Sequence, residues 1–368
     1  IVTLTRVRTI IIHAIPESLK YAISGGIGIF LAYIGVKKAG LLKFSIDPGT
    51  YSVTGKGADK AQAAITANGM ATPGLVDFNN PAVLVALFGI FITIFFVLKR
   101  VRGGIVLSIA ATTIVAILVG VVDLSKINFA SNNIGAAVQD LGKIFGAALG
   151  KNGLLALFAK PSRIPEVLLA ILAFSLTDIF DNIGTLISTG RKAGIFNIAD
   201  EEAAKDSSGL QTKMDKALFS DMVGTTIGAI AGTSNVTTYV ESAAGIEAGG
   251  RTGLTALVVA ALFAISSFFS PLLAIVPTVA VAPILIIVGI MMLSSMKDIE
   301  WDDLSEAVPA FFTSVFMGFT YSITHGIAAG FIMYAFVKII KGEAKEVHPI
   351  IWVLDALFIL NFISLALA

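Results

Sequence analysis

Apolar runs separated by short polar breaks occupy most of the chain. Eleven stretches read as membrane segments, near 16–36, 81–98, 103–122, 165–187, 216–232, 236–247, 253–271, 277–296, 307–323, 326–341 and 350–367. A helix needs about 20 mostly apolar residues to cross a bilayer, and shorter or broken ones are tolerated when buried among others. The sixth stretch is too short to span alone. Its sequence, TSNVTTYVESAAG, is rich in β-branched and hydroxyl residues where the others are rich in Leu, Ile and Ala, and it predicts an extended stretch leading into a half-helix. The stretches 37–80 and 123–163 carry Gly, Asn and Asp with little periodicity, which predicts surface loops with room for a short hairpin or helix.

Composition sharpens this into an all-α polytopic membrane protein. The 368 residues are 56% hydrophobic and only 14% charged, against about a quarter charged in an ordinary soluble domain. Mean hydropathy is +0.88. Twenty-six Lys and Arg against 25 Asp and Glu leave a net charge of +1, so the basic field that nucleic-acid binding needs is missing. The absence of Cys excludes disulfides, thiolate nucleophiles and Cys-ligated zinc, and His13, His325 and His348 are too scattered for a metal site. No cofactor is expected. The chain opens on Ile1, and Arg6 and Arg8 precede no short apolar stretch with a small-residue cleavage site, so it does not open like a signal peptide.

Basic loops orient the segments. Lys99, Arg100 and Arg102 follow the second segment, Arg191 and Lys192 the fourth, and Arg251 the sixth, while Lys338, Lys341 and Lys345 surround the end of the tenth. Strict alternation puts all four groups on the cytoplasmic side and turns 37–80 and 123–163 outward.

An internal repeat is also visible. Pro16 stands twelve residues before Gly28, and Pro277 twelve before Gly289; the next segments open with Pro81 and Pro309, and the third pair open as GGIVLSI and HGIAAGF. Segments one to three therefore resemble segments eight to ten. An odd number of segments, seven, separates the two starts, so the copies have opposite orientation, as in the inverted repeats of secondary transporters. With a seven-segment unit the first copy shows only its last three segments. About four segments are then expected before residue 1, and a chain truncated in this way is not expected to transport alone. The expected organisation is the last three segments of the first repeat over 1–122, forming a gate with the outer loop 37–80. An outer loop over 123–164, second-repeat core segments over 165–271, second-repeat gate segments over 272–341 and a C-terminal apolar helix over 342–368 follow.

A carboxylate at the bilayer centre costs at least about 2.5 kcal/mol, so each intramembrane acid needs a reason. Asp178 and Asp181 in SLTDIFDNIGT lie three apart on one helical face, with Thr177 and Thr185 four residues either side of Asp181. Glu241 closes the polar sixth stretch. Asp181 and Glu241 could line one midplane cavity and hold a polar solute, one of the acids carrying a coupling proton; a carboxylate that accepts two parallel N–H groups suits the edge of a heterocyclic base. Equally, these acids could pair with Lys216 or Arg251 or cap helices. Gly224, Gly228 and Gly232 recur every fourth residue, which predicts close packing against another helix. Asp221 reads as a capping or interface acid. Asp355 reads as facing the cytoplasmic interface or a neighbouring helix, and Tyr321 with His325 as a satisfied or solvated pair near a helix end.

The stretches SLTDIFDNIGTLIS, KALFSDMVGTTIGAIAGTSNVTTYVESAAGIEAGGRTGLTALV, FFSPLLAIVPTVAVAPILIIVGIMM, IEWDDLSEAVPAF, TYSITHGIAAGFIMYAFVKIIKG and EVHPIIWVLDALF together resemble the AzgA-type purine permeases of the nucleobase/ascorbate transporter superfamily. That resemblance implies fourteen segments in two inverted repeats, with core and gate domains and broken helices with short strands at the site. It implies secondary transport of hypoxanthine, guanine and adenine with protons across the plasma or inner membrane, by a multi-pass protein with room for a homodimer. Carried over by motif, Asp181 and Glu241 hold the base, and Asn235, Thr237, Thr238 and Tyr239 lie on the strand lining it; Asp181, Glu241 and Asp178 are the candidates for proton coupling.

Two rivals come from other directions. A uracil/xanthine-type or anion transporter of the same fold would share the architecture, but an anion site would offer helix N-termini and Arg or Lys rather than two acids. An intramembrane aspartyl protease needs its two acids on separate helices, whereas Asp178 and Asp181 share one. No enzymatic chemistry is expected.

Overall fold

The computed structural model describes residues 14–45, 51–54, 64–67, 71–101, 103–126, 139, 141–150, 153–160, 189–195, 197, 212–234, 236–239, 242–268 and 275–367. Between 164 and 186 it describes positions 164, 167, 171, 175, 178, 182, 185 and 186. The elements are helices α1 (Glu17–Lys38), α2 (Pro81–Leu98), α3 (Gly104–Leu118), α4 (Lys213–Ala231), α5 (Ser242–Glu247), α6 (Gly253–Phe268), α7 (Thr278–Leu293), α8 (Leu304–Phe319), α9 (Ile323–Ile340) and α10 (Pro349–Leu367). The described positions from 164 to 193 are helical as well. By length and composition Glu17–Lys38, Pro81–Leu98, Thr278–Asp298 and Ile323–Ile340 can cross a membrane, and Gly104–Leu118, Gly253–Ser266, Leu304–Phe319 and Pro349–Leu360 are shorter apolar helices. The expected polytopic helical architecture is therefore observed.

Local chemistry sets the helix ends. Glu17 opens α1 and Lys37 and Lys38 close it, each charge complementing the helix dipole. Asn80 caps α2 by accepting from the Ala82 N–H at 3.0 Å, ahead of a proline at the first helical position. Thr212 and Asp215 form a reciprocal capping box on α4, and Gly232, at φ +85°, ends it. Ser322 accepts from the His325 N–H at 3.3 Å to start α9.

The chain divides into two compact units. The smaller comprises 33–127 and 272–287. Its segment between α1 and α2 holds two short antiparallel ladders, β1 (Leu42–Ser45) with β4 (Thr72–Leu75) and β2 (Tyr51–Thr54) with β3 (Ala64–Ala67), where a surface loop with room for a short hairpin or helix was expected. Lys43 and Asp77 form an ion pair at 3.1 Å beside the first ladder. Small residues let its helices close: a Cβ on Gly89 of α2 would stand 3.0 Å from Pro283 of α7 and 3.0 Å from Thr112 of α3.

The larger unit comprises 1–32, 128–271 and 288–368. Its apolar core draws Leu19, Ile23 and Ile27 from α1, Met214 and Leu218 from α4, Met317 from α8, Phe331 from α9 and Phe358 from α10. Phe331 and Phe358 meet edge to face at 6.3 Å. In the α8–α9 hairpin, Gly326 leaves room for the Thr313 carbonyl oxygen, which a Cβ there would meet at 2.5 Å. Lys338 closes the far end of α9 by donating to Glu343 at 2.6 Å and Glu346 at 2.8 Å. The start of α1 is tied to residue 191, since Arg191 pairs with Glu17 at 3.3 Å. Those are two ends that charge alternation puts on one side.

Within this unit α1 crosses α7 at two glycines. A Cβ on Gly28 would lie 2.6 Å from the Gly289 carbonyl oxygen, and one on Gly289 would lie 2.5 Å from that of Gly28. Near the start of α9, the exposed Tyr321 ring meets Phe30 at 5.6 Å and the half-buried His325 ring meets Phe362 at 5.6 Å. Asp355 faces neighbouring helices rather than an interface. It is 5% exposed, and among the described residues neither carboxylate oxygen has a hydrogen-bond partner.

Candidate functional site

Two polar features interrupt the apolar helices of the larger unit. The first is a ladder on the helical stretch around 178–189. Asn182 donates its amide to Asp178 Oδ1 at 2.9 Å, Thr185 donates to the Asn182 carbonyl at 3.2 Å, and Thr189 donates to the Thr185 carbonyl. Spacings of three and four put these groups on one face. Asn182 is fully buried, and among the described residues its Oδ1 has no partner. A buried, unsatisfied acceptor costs roughly 1–3 kcal/mol, so this face holds polar groups beyond those that the helix itself uses.

The second feature is the break between α4 and α5. After Gly232 the chain leaves the helix, and residues 236–239 form neither helix nor ladder. The break is pinned back along α4: Thr233 N–H donates to the Gly228 carbonyl at 2.9 Å, and Thr225 Oγ1 donates to the Val236 carbonyl at 2.6 Å. The small-residue stripe of α4 serves this return. A Cβ on Gly228 would meet Val236 at 2.5 Å, while one on Gly232 would meet the Ile144 carbonyl oxygen at 2.7 Å. The partner of Gly228 is thus the returning chain, while Gly232 meets Ile144 at the end of the short helical stretch 141–144. Tyr239 stacks on Phe263 of α6 with centroids 5.7 Å apart and an interplanar angle of 19°.

Of the residues predicted from sequence, Asp178 is half-buried and bound to Asn182, Thr237 and Thr238 are half-buried, and Tyr239 is exposed. Asp181, Asn235 and Glu241 lie outside the described residues. The two polar elements are joined near their ends, where Lys192 pairs with Glu247 at 2.6 Å. Asn182 and Phe263 were not singled out by sequence. Asn182 had a usable signal, four residues after Asp178 on the same face; Phe263 had none among the aromatics of an apolar helix.

Comparison with known proteins decides the family. The sequence pattern described as "Permease family" matches residues 51–329. The chain belongs to this family of permeases. It is 35% identical over 368 residues to the guanine/hypoxanthine permease PbuG of Bacillus subtilis, covering 99% of this chain and 72% of that protein. It is 35% identical over 363 residues to the adenine permease AdeQ of Escherichia coli, with 99% and 71% covered. The nucleobase transporter PlAzg2 of Paenibacillus larvae is 30% identical over 322 residues, with 88% and 55% covered. The sequence resemblance to the nucleobase/ascorbate transporter superfamily therefore holds, and this permease is a transporter rather than an enzyme.

Proposed function

We propose that this permease carries purine nucleobases across the cell membrane by proton symport. The observation that carries the reading is the polar break after Gly232, where the Thr225 hydroxyl holds the Val236 carbonyl and Thr237, Thr238 and Tyr239 stand in place of an apolar helical run. Among the relatives, those named for guanine, hypoxanthine and adenine support purines as the class. In this reading Asp181 and Glu241 accept N–H groups of the base, and Asn235, Thr237, Thr238 and Tyr239 line the site. One of Asp181, Glu241 and Asp178 takes up the coupling proton, and base binding stabilises the state in which the site changes its exposure.

The inverted repeat receives support from the α1–α7 crossing. Pro16 and Pro277 are 261 positions apart, and that shift also carries Gly28 onto Gly289. It exchanges the neighbours as well: Gly25 packs on Met296 and Gly35 on Ile286, and the shift carries 25 to 286 and 35 to 296. A two-fold axis lying between antiparallel copies produces such exchanged pairs.

The test is uptake of labelled hypoxanthine, guanine and adenine in a host lacking its own purine permeases, with xanthine and uracil as competitors. Purine uptake should be saturable, weaken as external pH rises and collapse with a protonophore. Glu241→Gln swaps an acceptor oxygen for a donor and should lower it at least about tenfold. Uptake of uracil in place of purines, or unchanged affinity in Glu241→Gln, would overturn the assignment.

A further inference from the structure

We infer that Phe263 is a positioning residue for the substrate: it holds the Tyr239 ring as a plate on which a flat heterocyclic base stacks. The inference rests on the functional reading above and adds to it a residue on a different helix.

The stretch carrying Tyr239 has no helix or ladder of its own to fix its side chains. Two contacts replace that support. The Thr225 hydroxyl fixes the backbone at Val236, and Val236 itself lies against Gly228. Three residues on, the Tyr239 ring lies nearly parallel to that of Phe263, at 5.7 Å and 19°. Such a near-parallel stack is one of the two arrangements that aromatic pairs prefer, and it covers the ring's face rather than its edge. Tyr239 and Phe263 are nevertheless 58% and 56% exposed. Here one face of the Tyr239 ring is covered by Phe263, and among the described residues no other ring contacts it.

A held aromatic ring with exposed surface, two residues after the half-buried Thr237, suits a planar π-system. Stacking tolerates any base, because every base has a π-face, so it sets affinity, while the acids choose among bases by their hydrogen-bonding edges. Phe263 acts through Tyr239 and does not itself touch the base.

The experiment measures KM and kcat of hypoxanthine and adenine uptake for Phe263→Leu, Phe263→Tyr, Tyr239→Leu and the double variant Tyr239→Leu/Phe263→Leu. Phe263→Leu should raise KM about tenfold for both purines alike with kcat within about twofold. Phe263→Tyr, which keeps the ring, should restore wild-type KM. The double variant should be no worse than Tyr239→Leu, because the effect of Phe263 passes through that ring. In Phe263→Trp, the new indole should show a saturable fluorescence change on adding hypoxanthine, which a merely structural residue would not report. Unchanged KM in Phe263→Leu with active wild type, additive losses in the double variant, or no purine-dependent change in Phe263→Trp each overturn the inference. If Phe263→Leu fails to fold, the Phe263→Tyr and Phe263→Trp results decide. A wild-type protein that carries no nucleobase overturns the functional reading and this inference with it.

Discussion

Thr225 and Val236 are eleven residues apart and joined by one hydrogen bond, from the threonine hydroxyl to the valine carbonyl at 2.6 Å. That bond fastens the polar break to the helix preceding it. Thr225→Val keeps the shape and removes the donor, a loss of about 0.5–1.5 kcal/mol in holding the break. The KM for purine uptake should rise about two- to tenfold, and Thr225→Ser should leave it unchanged. Equal KM values for Thr225→Val and wild type would show that the bond does not position the site.

The glycines at the α1–α7 crossing make a steric prediction. Gly28→Ala or Gly289→Ala places a methyl group against a backbone oxygen, and each should destabilise by about 1–3 kcal/mol. The double variant should cost less than the sum, since the first methyl already opens the gap. Gly245→Ala, whose Cβ would meet nothing within 4 Å, should be neutral or stabilise by less than about 1 kcal/mol. Melting of the detergent-solubilised protein distinguishes them; equal melting of Gly28→Ala and Gly245→Ala would refute the close crossing.

Asp355 is a buried carboxyl whose oxygens have no hydrogen-bond partner among the described residues. Replacing it with an apolar residue of similar size removes an unsatisfied polar group from a core that includes Ile351, Leu354 and Phe358. Asp355→Leu should therefore melt above wild type, by about 1–3 kcal/mol, with Asp355→Asn closer to wild type. A lower melting point for Asp355→Leu would mean that this carboxyl has a structural partner in the membrane.

Asp303 caps α8 by accepting from the Ser305 N–H at 2.8 Å, and that bond, with a smaller contribution from the Ser305 side chain, holds its carboxyl below the usual carboxylate range. A carboxyl with a depressed folded-state pKa adds stability at pH values above its unfolded value and loses it as pH falls through the folded value. Asp303→Asn keeps the capping acceptor without the titration. The variant should show a shallower fall in melting temperature towards acid pH than wild type; identical acid limbs would remove Asp303 as a contributor.

Helix placement was legible in the sequence where an apolar run meets a stop signal. The 81–98 segment begins at Asn80–Pro81 and coincides with α2, and the break after Gly232 was visible as a change in residue type. The paired strands between α1 and α2 were not legible. Leu42 pairs with Leu75 across more than thirty residues, and four-residue strands carry too little alternation to announce such a partner. At the candidate site the acids stood out because charge in an apolar run is costly. Asn182 and Phe263 did not, since burial of an amide and stacking of a ring depend on which helices meet.

The α1–α7 crossing also limits how this permease can be recombined. A gap closed by Gly28 from one side and Gly289 from the other cannot be widened by altering one helix alone. A chimera that imports either helix from a relative must therefore import a glycine at the crossing with it, or bring the matching helix too. Exchange at this crossing is thus limited to partners that keep its closest point small.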